Sequence, residues 1–356
     1  MKCVTIIGAR PQFIKAAPVS AAMIESGLDE ILIHTGQHYD YEMSQVFFDE
    51  LKIPPPKYNL DISGGSHAQM TGQMLESIEA VIIKESPDFV LVYGDTNSTL
   101  AGSLAASKIH VPVVHMEAGL RSFNKKMPEE VNRILTDHIS ALLLCPSDTA
   151  ISNLKNEGIV EGVLAVGDIM ADAAKQALEI VSNTENYLPK VADFNFENEF
   201  DLLTLHRAEN TDDESKIRDI FKAFEHAKRP ILFPIHPRTR KKITDLAISL
   251  PNQITTCEPF SYLSMASVLA LSTNVFTDSG GLQKEAYWSK KPCITLREET
   301  EWVETLTGGA NRLVGTDQKK IISSFELNEG IQFSDSLYGD GNSAPACVTA
   351  MINYFK

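Results

Sequence analysis

Residues 89–121 read FVLVYGDTNSTLAGSLAASKIHVPVVHMEAGLR, and this stretch decides the fold. Its first five residues, 89–93, are an apolar run of strand length that Gly94 interrupts. Residues 98–108 are small and helix-compatible, and 111–115 are again apolar and β-branched. Strand, helix and strand at this spacing form a βαβ unit, whose two strands are parallel. Neither strand alternates apolar with polar residues, so helices must cover both faces of the sheet.

The same alternation extends outward. Strands are predicted over 3–7 and 30–34, with a helix over 11–25. A helix over 66–86 carries Met70, Met74, Ile78 and Val81 on one face. A helix over 129–141 and a strand over 142–145 complete this series. Residues 183–199 are polar and charged, and Pro189 breaks any long helix there. A second series follows, with strands over 201–204, 230–234, 274–277 and 293–296. Helices over 214–227, 262–271 and 281–289 lie between them, and 344–354 reads as a closing helix. The fold class is therefore α/β, with two doubly wound parallel-sheet domains. Ligands of such sheets bind beyond the strand C-termini, and a cleft between the domains is the expected active site.

Composition supports this picture. The chain has 356 residues, enough for two domains at about 100–200 residues each. Hydrophobic residues make up 43% and charged residues 22%, which excludes disorder and fibrous classes. Asp and Glu number 47 against 32 Lys and Arg, a formal charge of −15, so no general nucleic-acid surface is expected. Cys3, Cys145, Cys257, Cys293 and Cys347 are scattered and odd in number. They predict no disulfide framework and no zinc site, and a reducing, cytoplasmic location. No run approaches the length of a membrane-spanning helix.

The chemically informative residues fall just after the strands. Gly8-Ala9-Arg10-Pro11-Gln12 places a tight turn, a guanidinium and a helix start together, with Lys15 one turn on. An ordinary βα turn would read the same way. Asp95 follows Gly94 and serves either as a helix cap or as a reacting carboxylate. Glu117 follows the next strand. Glu129 and Glu130 begin a helix, where acids also favour the helix dipole. Three carboxylates on one sheet rim, Asp95, Glu117 and Glu129, can divide acid and base roles between them. In the second series His206 and Arg207 follow the first strand, and His236 follows the next. Asp278-Ser279-Gly280-Gly281 leads into a helix whose exposed N–H groups suit a diphosphate, and Glu285 lies further along it. No metal-ligand spacing appears.

Taken together, these blocks resemble the non-hydrolysing UDP-N-acetylglucosamine 2-epimerases. The family's G-T-R-P-E appears as Gly8 to Gln12, and its G-D-T-x-[ST]-T block as Gly94 to Thr99. H-x-E-A-G-L-R appears as His115 to Arg121, P-E-E-x-N-R as Pro128 to Arg133, and D-S-G-G-x-Q-x-E-A as Asp278 to Ala286. The family's glycine-rich tail appears as Tyr338 to Gly341. The resemblance spans residues 6–341.

The resemblance implies the GT-B architecture of two Rossmann-like domains. The expected division is 1–168, joined by a C-terminal helix at 344–356, and 169–343 as the UDP-binding domain. It implies no cofactor, a homodimer, and a UDP-sugar substrate. UDP is eliminated across C1–C2 to give a glycal and then adds back with C2 inverted. Asp95, Glu117, Glu129 and His206 fall on the family's catalytic positions. Arg10, Lys15, His38, Arg133, Arg207, His236, Ser279, Gly280, Gly281 and Glu285 fall on UDP-contacting or neighbouring positions.

Departures from the family pattern are informative. Gln12 replaces a Glu, which removes a charge near the expected phosphates. The T-E-R-P-E segment is Thr300-Glu301-Trp302-Val303-Glu304, without its Arg. Asp40 replaces a Gln beside His38, and an Arg near Ser66 and His67 is missing, so activation by UDP-N-acetylglucosamine is not expected. The Gly8-Ala9-Arg10-Pro11-Gln12 opening, the Ser122-Phe123-Asn124 segment and Trp302 resemble a subgroup acting on UDP-2,3-diacetamido-2,3-dideoxy-D-glucuronic acid, which serves O-antigen or capsule synthesis. Lys125 or Lys126 would meet the sugar carboxylate. UDP-N-acetylglucosamine itself is the alternative substrate. A GT-B glycosyltransferase, a hydrolysing 2-epimerase and an inactive sugar-nucleotide-binding protein are more distant readings.

Overall fold

Seven parallel strands form the first sheet. They are β1 (Lys2–Ile7), β2 (Asp29–His34), β3 (Tyr58–Asn59), β4 (Phe89–Tyr93), β5 (Val113–Met116), β6 (Leu142–Cys145) and β7 (Val163–Ala165). Their order is β3-β2-β1-β4-β5-β6-β7. The second sheet contains β8 (Asp201–Thr204), β9 (Ile231–Pro234), β10 (Ile254–Cys257), β11 (Val275–Thr277), β12 (Cys293–Thr295) and β13 (Asn311–Leu313). Its order is β10-β9-β8-β11-β12-β13, again with every pairing parallel. This is a computed structural model describing residues 1–37, 45–300, 302–326, 330–334, 337, 339 and 341–356.

The order in which successive strands join each sheet reverses once, between β1 and β4 and between β8 and β11. At such switch points the loops leaving the two strands diverge and open a crevice. Central strands carry the cores. All five residues of β4 are buried, and Val4, Ile6, Val90 and Val92 pack with Met74, Ile78 and Ala101. In the second unit Leu203, Phe233, Phe276 and Ile294 pack with Ile217, Phe221 and Phe224.

The expected central strands appear within a residue or two of their predicted bounds. Four observed strands, β3, β7, β10 and β13, were not anticipated. All four are sheet edges. Partial exposure leaves their sequences without the continuous apolar run that marks a buried strand.

Helix starts follow local chemistry. Ser66 caps helix His67–Glu85, with Oγ accepting from the Gln69 N–H while Gln69 Oε1 accepts from the Ser66 N–H. Thr96 caps Asn97–Lys108 in the same way through Thr99. The closing helix Ser343–Phe355 buries Cys347, Val348 and Met351 and stacks Phe355 on Phe89 at 4.7 Å.

Two compact units result: Met1–Ala173 with Tyr338–Lys356, and Ala174–Leu337. The junction lies inside helix Ile169–Ser182 rather than at its start. Asp172, on the first turn, accepts the N–H groups of Ser343 and Ala344 at 3.1 and 2.8 Å. That turn is thereby fastened to the closing helix. Among the described residues no helix is long and apolar enough to cross a membrane, and no cluster of three metal-ligating side chains occurs.

Candidate active site

The first switch point gathers the loops leaving β1, β4 and β5. Gly8 ends β1 against Thr35 and Ser98. A Cβ at Gly8 would lie 1.8 Å from Thr35 Oγ1, so only glycine fits. Gln12 is buried and faces inward. Its Oε1 accepts the N–H groups of Gly8 and Ala9 at 2.8 and 3.0 Å. Its Nε2 donates to the Tyr93 carbonyl and to Thr99 Oγ1 at 2.9 and 3.1 Å. The Glu-to-Gln departure is thus an amide tie between two loops, beyond the change of charge that the sequence suggested. Arg10 opens helix Arg10–Glu25 and is exposed, its guanidinium 5.4 Å from the Phe47 ring centre.

Lys15 and Glu117 form an ion pair with little solvent access. Burial alone would lower the Lys15 pKa, but the charges of Glu117, Asp168 and Asp95 outweigh it and raise the value. Glu117 occupies the left-handed backbone region at φ 70°, an uncommon conformation for a non-glycine residue. Gly94 has φ 61°, and a Cβ there would come within 3.2 Å of Glu117 Oε2. The glycine therefore admits the carboxylate.

Asp95 pairs with Arg133, which also contacts Glu130 Oε2 at 3.2 Å. Asn132 Nδ2 donates to the Asp95 carbonyl at 2.9 Å. The structure thus brings Lys15 to Glu117 and Arg133 to Asp95, with Asp95 close enough to influence Lys15. Glu129 is exposed on helix Pro128–Ile139, and among the described residues it joins none of these pairs. Its neighbour Glu130 is buried. It accepts from the Ser122 N–H and hydroxyl, both at 2.9 Å, and from the Phe123 N–H at 2.8 Å. Burial would raise the Glu130 pKa, but these donors and Arg133 overcome it and hold the group low. His38, Asp40, Glu301 and Tyr338 lie outside the described residues.

A buried network supports this rim from below. His115 Nδ1 lies 2.6 Å from Asp137 Oδ1, and its Nε2 lies 2.7 Å from the Gly94 carbonyl. Asp137 Oδ2 takes the Gly119 N–H and Arg121 Nη1 at 3.1 and 2.6 Å. Burial opposes ionisation of Asp137, yet His115 and Arg121 together lower its pKa. The loops bearing Asp95 and Glu117 are thereby joined through side chains.

The second switch point has its own set. β8 and β11 end side by side, with Thr204 Oγ1 2.6 Å from Thr277 Oγ1. His206 and Arg207 follow β8, and Asp278 and Ser279 follow β11. Ser279 caps helix Gly280–Trp288, whose first turn contains Gly280 and Gly281. That helix start offers N–H donors and a positive dipole end to an anion. Glu285 is half-buried on the next turn. Asp278 is fully buried and accepts the N–H groups of His206 and Arg207. His236 caps helix Pro237–Asp245, and its ring centre lies 6.0 Å from that of His206. Arg207 Nε is buried without a hydrogen-bond partner among the described residues.

One buried carboxylate of the first rim was not singled out by sequence. Asp168, buried after β7, raises the pKa of Lys15. Trp302 takes the place of the family's Arg, and the Lys284 ammonium sits 3.7 Å from its ring centre. Asp168 lies just after a strand, as Asp95 and Glu117 do, so recognising edge strand β7 would have found it.

Known proteins resemble this chain along almost its whole length. The family model described as UDP-N-acetylglucosamine 2-epimerase matches residues 21–352. The UDP-2,3-diacetamido-2,3-dideoxy-D-glucuronate 2-epimerase of Pseudomonas aeruginosa is 52% identical over 353 residues, covering 97% of each chain. A UDP-N-acetylglucosamine 2-epimerase homolog of Methanococcus maripaludis is 49% identical over 360 residues, covering 99% of this chain and all of the relative. The crystal structure of Methanocaldococcus jannaschii UDP-GlcNAc 2-epimerase, solved with UDP-GlcNAc and UDP, superposes with a TM-score of 0.87 at 42% identity. It covers 99% of this chain and 100% of its own.

Proposed function

The chain belongs to the UDP-N-acetylglucosamine 2-epimerase family, and from that premise we propose that it inverts C2 of UDP-2,3-diacetamido-2,3-dideoxy-D-glucuronate. It is a UDP-sugar 2-epimerase, an isomerase, with two Rossmann-like units of the GT-B kind.

The observation that carries the substrate reading is the anchored loop before helix Pro128–Ile139. Glu130 pins residues 122 and 123, and Arg133 links Glu130 to Asp95. The two exposed ammonium groups of Lys125 and Lys126 lie on this loop. A cation there suits a sugar carboxylate. UDP-N-acetylglucosamine is the second reading, supported by the name of the Methanococcus relative.

In this reaction the C2 proton leaves as the C1–O bond to UDP breaks, forming a C1=C2 glycal. UDP then returns its oxygen to C1, and C2 takes a proton on the opposite face. Asp95, Glu117, Glu129 and His206 are the assigned proton-transfer groups, since both faces need one. Lys15, Arg10, Arg133, Arg207, His38 and His236 bind the substrate, and Ser279, Gly280, Gly281 and Glu285 hold its UDP. The helix start at Ser279 stabilises the charge that grows on departing UDP. We further infer a homodimer working in the cytoplasm, where its five unpaired thiols remain reduced.

Proton NMR in D2O with each nucleotide sugar tests this. Deuterium entering C2 of the acidic sugar, with the manno epimer appearing, is the expected result. Exchange in UDP-N-acetylglucosamine alone overturns the substrate and keeps the chemistry. Free sugar released with UDP points to the hydrolysing reaction.

A further inference from the structure

Asp278 belongs to the loop read above as a diphosphate cradle, yet its carboxylate points away from that role. It is fully buried. Burying a carboxylate is costly unless donors surround it. Among the described residues, its donors come from one short segment after β8. The His206 N–H lies 3.1 Å from both oxygens, the Arg207 N–H 2.8 Å from Oδ2, and Asn210 Nδ2 3.3 Å from Oδ2.

The ring of His206 completes the arrangement. Its Nδ1 lies 3.3 Å from Asp278 Oδ1. One oxygen therefore lies close to both the backbone N–H and the ring nitrogen of the same residue. That double approach restricts rotation of the ring about its first side-chain bond. It also favours a proton on Nδ1, which turns Nε2 away from Asp278 as the proton-accepting nitrogen. Asp278 is buried, whereas the His206 side chain is 38% exposed. The buried member thus orients the accessible one.

We propose that Asp278 is a positioning residue that fixes the tautomer and direction of His206 for proton transfer. The inference rests on the assignment of His206 to the reaction. A loop-fastening role alone would need only the backbone bonds. The ring contact is the addition, and it yields a tautomer that can be measured.

Two measurements test the proposal. The first is nitrogen-15 NMR of ring-labelled wild-type enzyme, with the His206 signals assigned by their loss in His206→Asn. Neutral His206 should carry its proton on Nδ1, and the opposite tautomer overturns the proposal without any Asp278 variant having to fold. The second is a double-mutant cycle on kcat with Asp278→Asn and His206→Asn. Each single variant should lose roughly 100-fold, and the double variant should lose little more than either. If the losses multiply, Asp278 acts independently of His206 and the inference fails. Should His206→Asn retain wild-type kcat, the assignment of His206 fails instead, and the tautomer result still stands by itself.

Discussion

The side-chain amide of Gln12 donates to the main-chain carbonyl of Tyr93 at 2.9 Å, tying the loop after β1 to the end of β4 across the first switch point. Gln12 can do this because its other end already accepts from Gly8 and Ala9. A carboxylate would keep the accepting half and lose the donating half. Gln12→Glu should therefore place a charge against the Tyr93 carbonyl. The expected cost is about 1–3 kcal/mol, the range for a buried polar group that loses a partner. Urea denaturation at pH 7 measures it. An unchanged midpoint would show that the tie contributes nothing to stability.

Lys15 faces three carboxylates, and Glu117 is its direct partner. Removing the ammonium leaves Glu117 with little solvent and no ion-pair partner among the described residues. Lys15→Met should lower stability by about 2–4 kcal/mol, somewhat below the value for a wholly buried pair. Because the Lys15 pKa is raised on folding, its contribution is complete below about 10.5, the unfolded value, and fades only above it. The difference between variant and wild type should accordingly stay flat from pH 7 to pH 9. Denaturation at several pH values would reveal a slope if the pair were weaker than this.

How much of this was legible in the sequence depends on where each residue sits. Asp95, Glu117, His206 and Ser279 follow fully or largely buried strands, so their apolar runs pointed to them. The edge strands β3, β7, β10 and β13 lack such runs, and Asp168, which follows β7, was missed with its strand. Glu129 and Glu130 look alike in sequence because both occupy a helix start. Only folding separates the exposed one from the one that anchors Ser122 and Phe123. Gln12 was read as a lost charge, since a sequence does not reveal which way an amide faces. The junction inside helix Ile169–Ser182 depends on Asp172 meeting residues 343 and 344, a contact 171 and 172 positions away along the chain.

Glu30, on β2, is a costly carboxylate. Burial raises its pKa, and the Thr5 hydroxyl offsets only part of that. The Thr5 hydroxyl donates to Oε1 at 2.6 Å, while Oε2 is buried without a partner among the described residues. A carboxyl with a raised folded pKa binds its proton more tightly when folded. Stability from this group is therefore greatest below the ordinary carboxyl pKa and falls as pH rises through the folded value. Glu30→Gln should stabilise the protein by roughly 1 kcal/mol at pH 7, the low end of the cost of an unsatisfied buried group. The gain should shrink below about pH 4, where Glu30 is protonated in both states. Thermal melts at the two pH values compare them directly.

Glu130 titrates in the opposite sense. Burial works against its charge, but Ser122, Phe123 and Arg133 lower its pKa. Its contribution is present above the ordinary carboxyl range and is lost as pH falls through the folded value. Glu130→Gln should cost about 1–3 kcal/mol at pH 7 and little in acid. It should also loosen residues 122–126, seen as faster amide exchange at Ser122 and Phe123. Wild-type exchange rates at both amides would show that Glu130 does not hold the loop.

Lys125 and Lys126 separate the two substrate readings. Both are exposed, so neither supports the fold, and stability should be unchanged when both become alanine. Their loop leaves its anchor at Phe123, which is 78% exposed and held at φ 58°. Such a backbone conformation costs energy in a residue other than glycine, and here the bond from the Phe123 N–H to Glu130 helps to hold it. A loop held in that way presents its lysines in a limited range of positions, which reduces the ordering cost of meeting a carboxylate. A charge-assisted contact of about 1.5–3 kcal/mol corresponds to roughly 10–150-fold in affinity. The double variant Lys125→Ala, Lys126→Ala should therefore raise KM for the diacetamido-glucuronate by about that factor, with kcat changed far less. Turnover of UDP-N-acetylglucosamine, which has no carboxylate on its sugar, should be unaffected if it is detectable at all. Equal losses on both sugars would assign the lysines to the shared UDP portion, and no loss on either would remove the loop from substrate recognition.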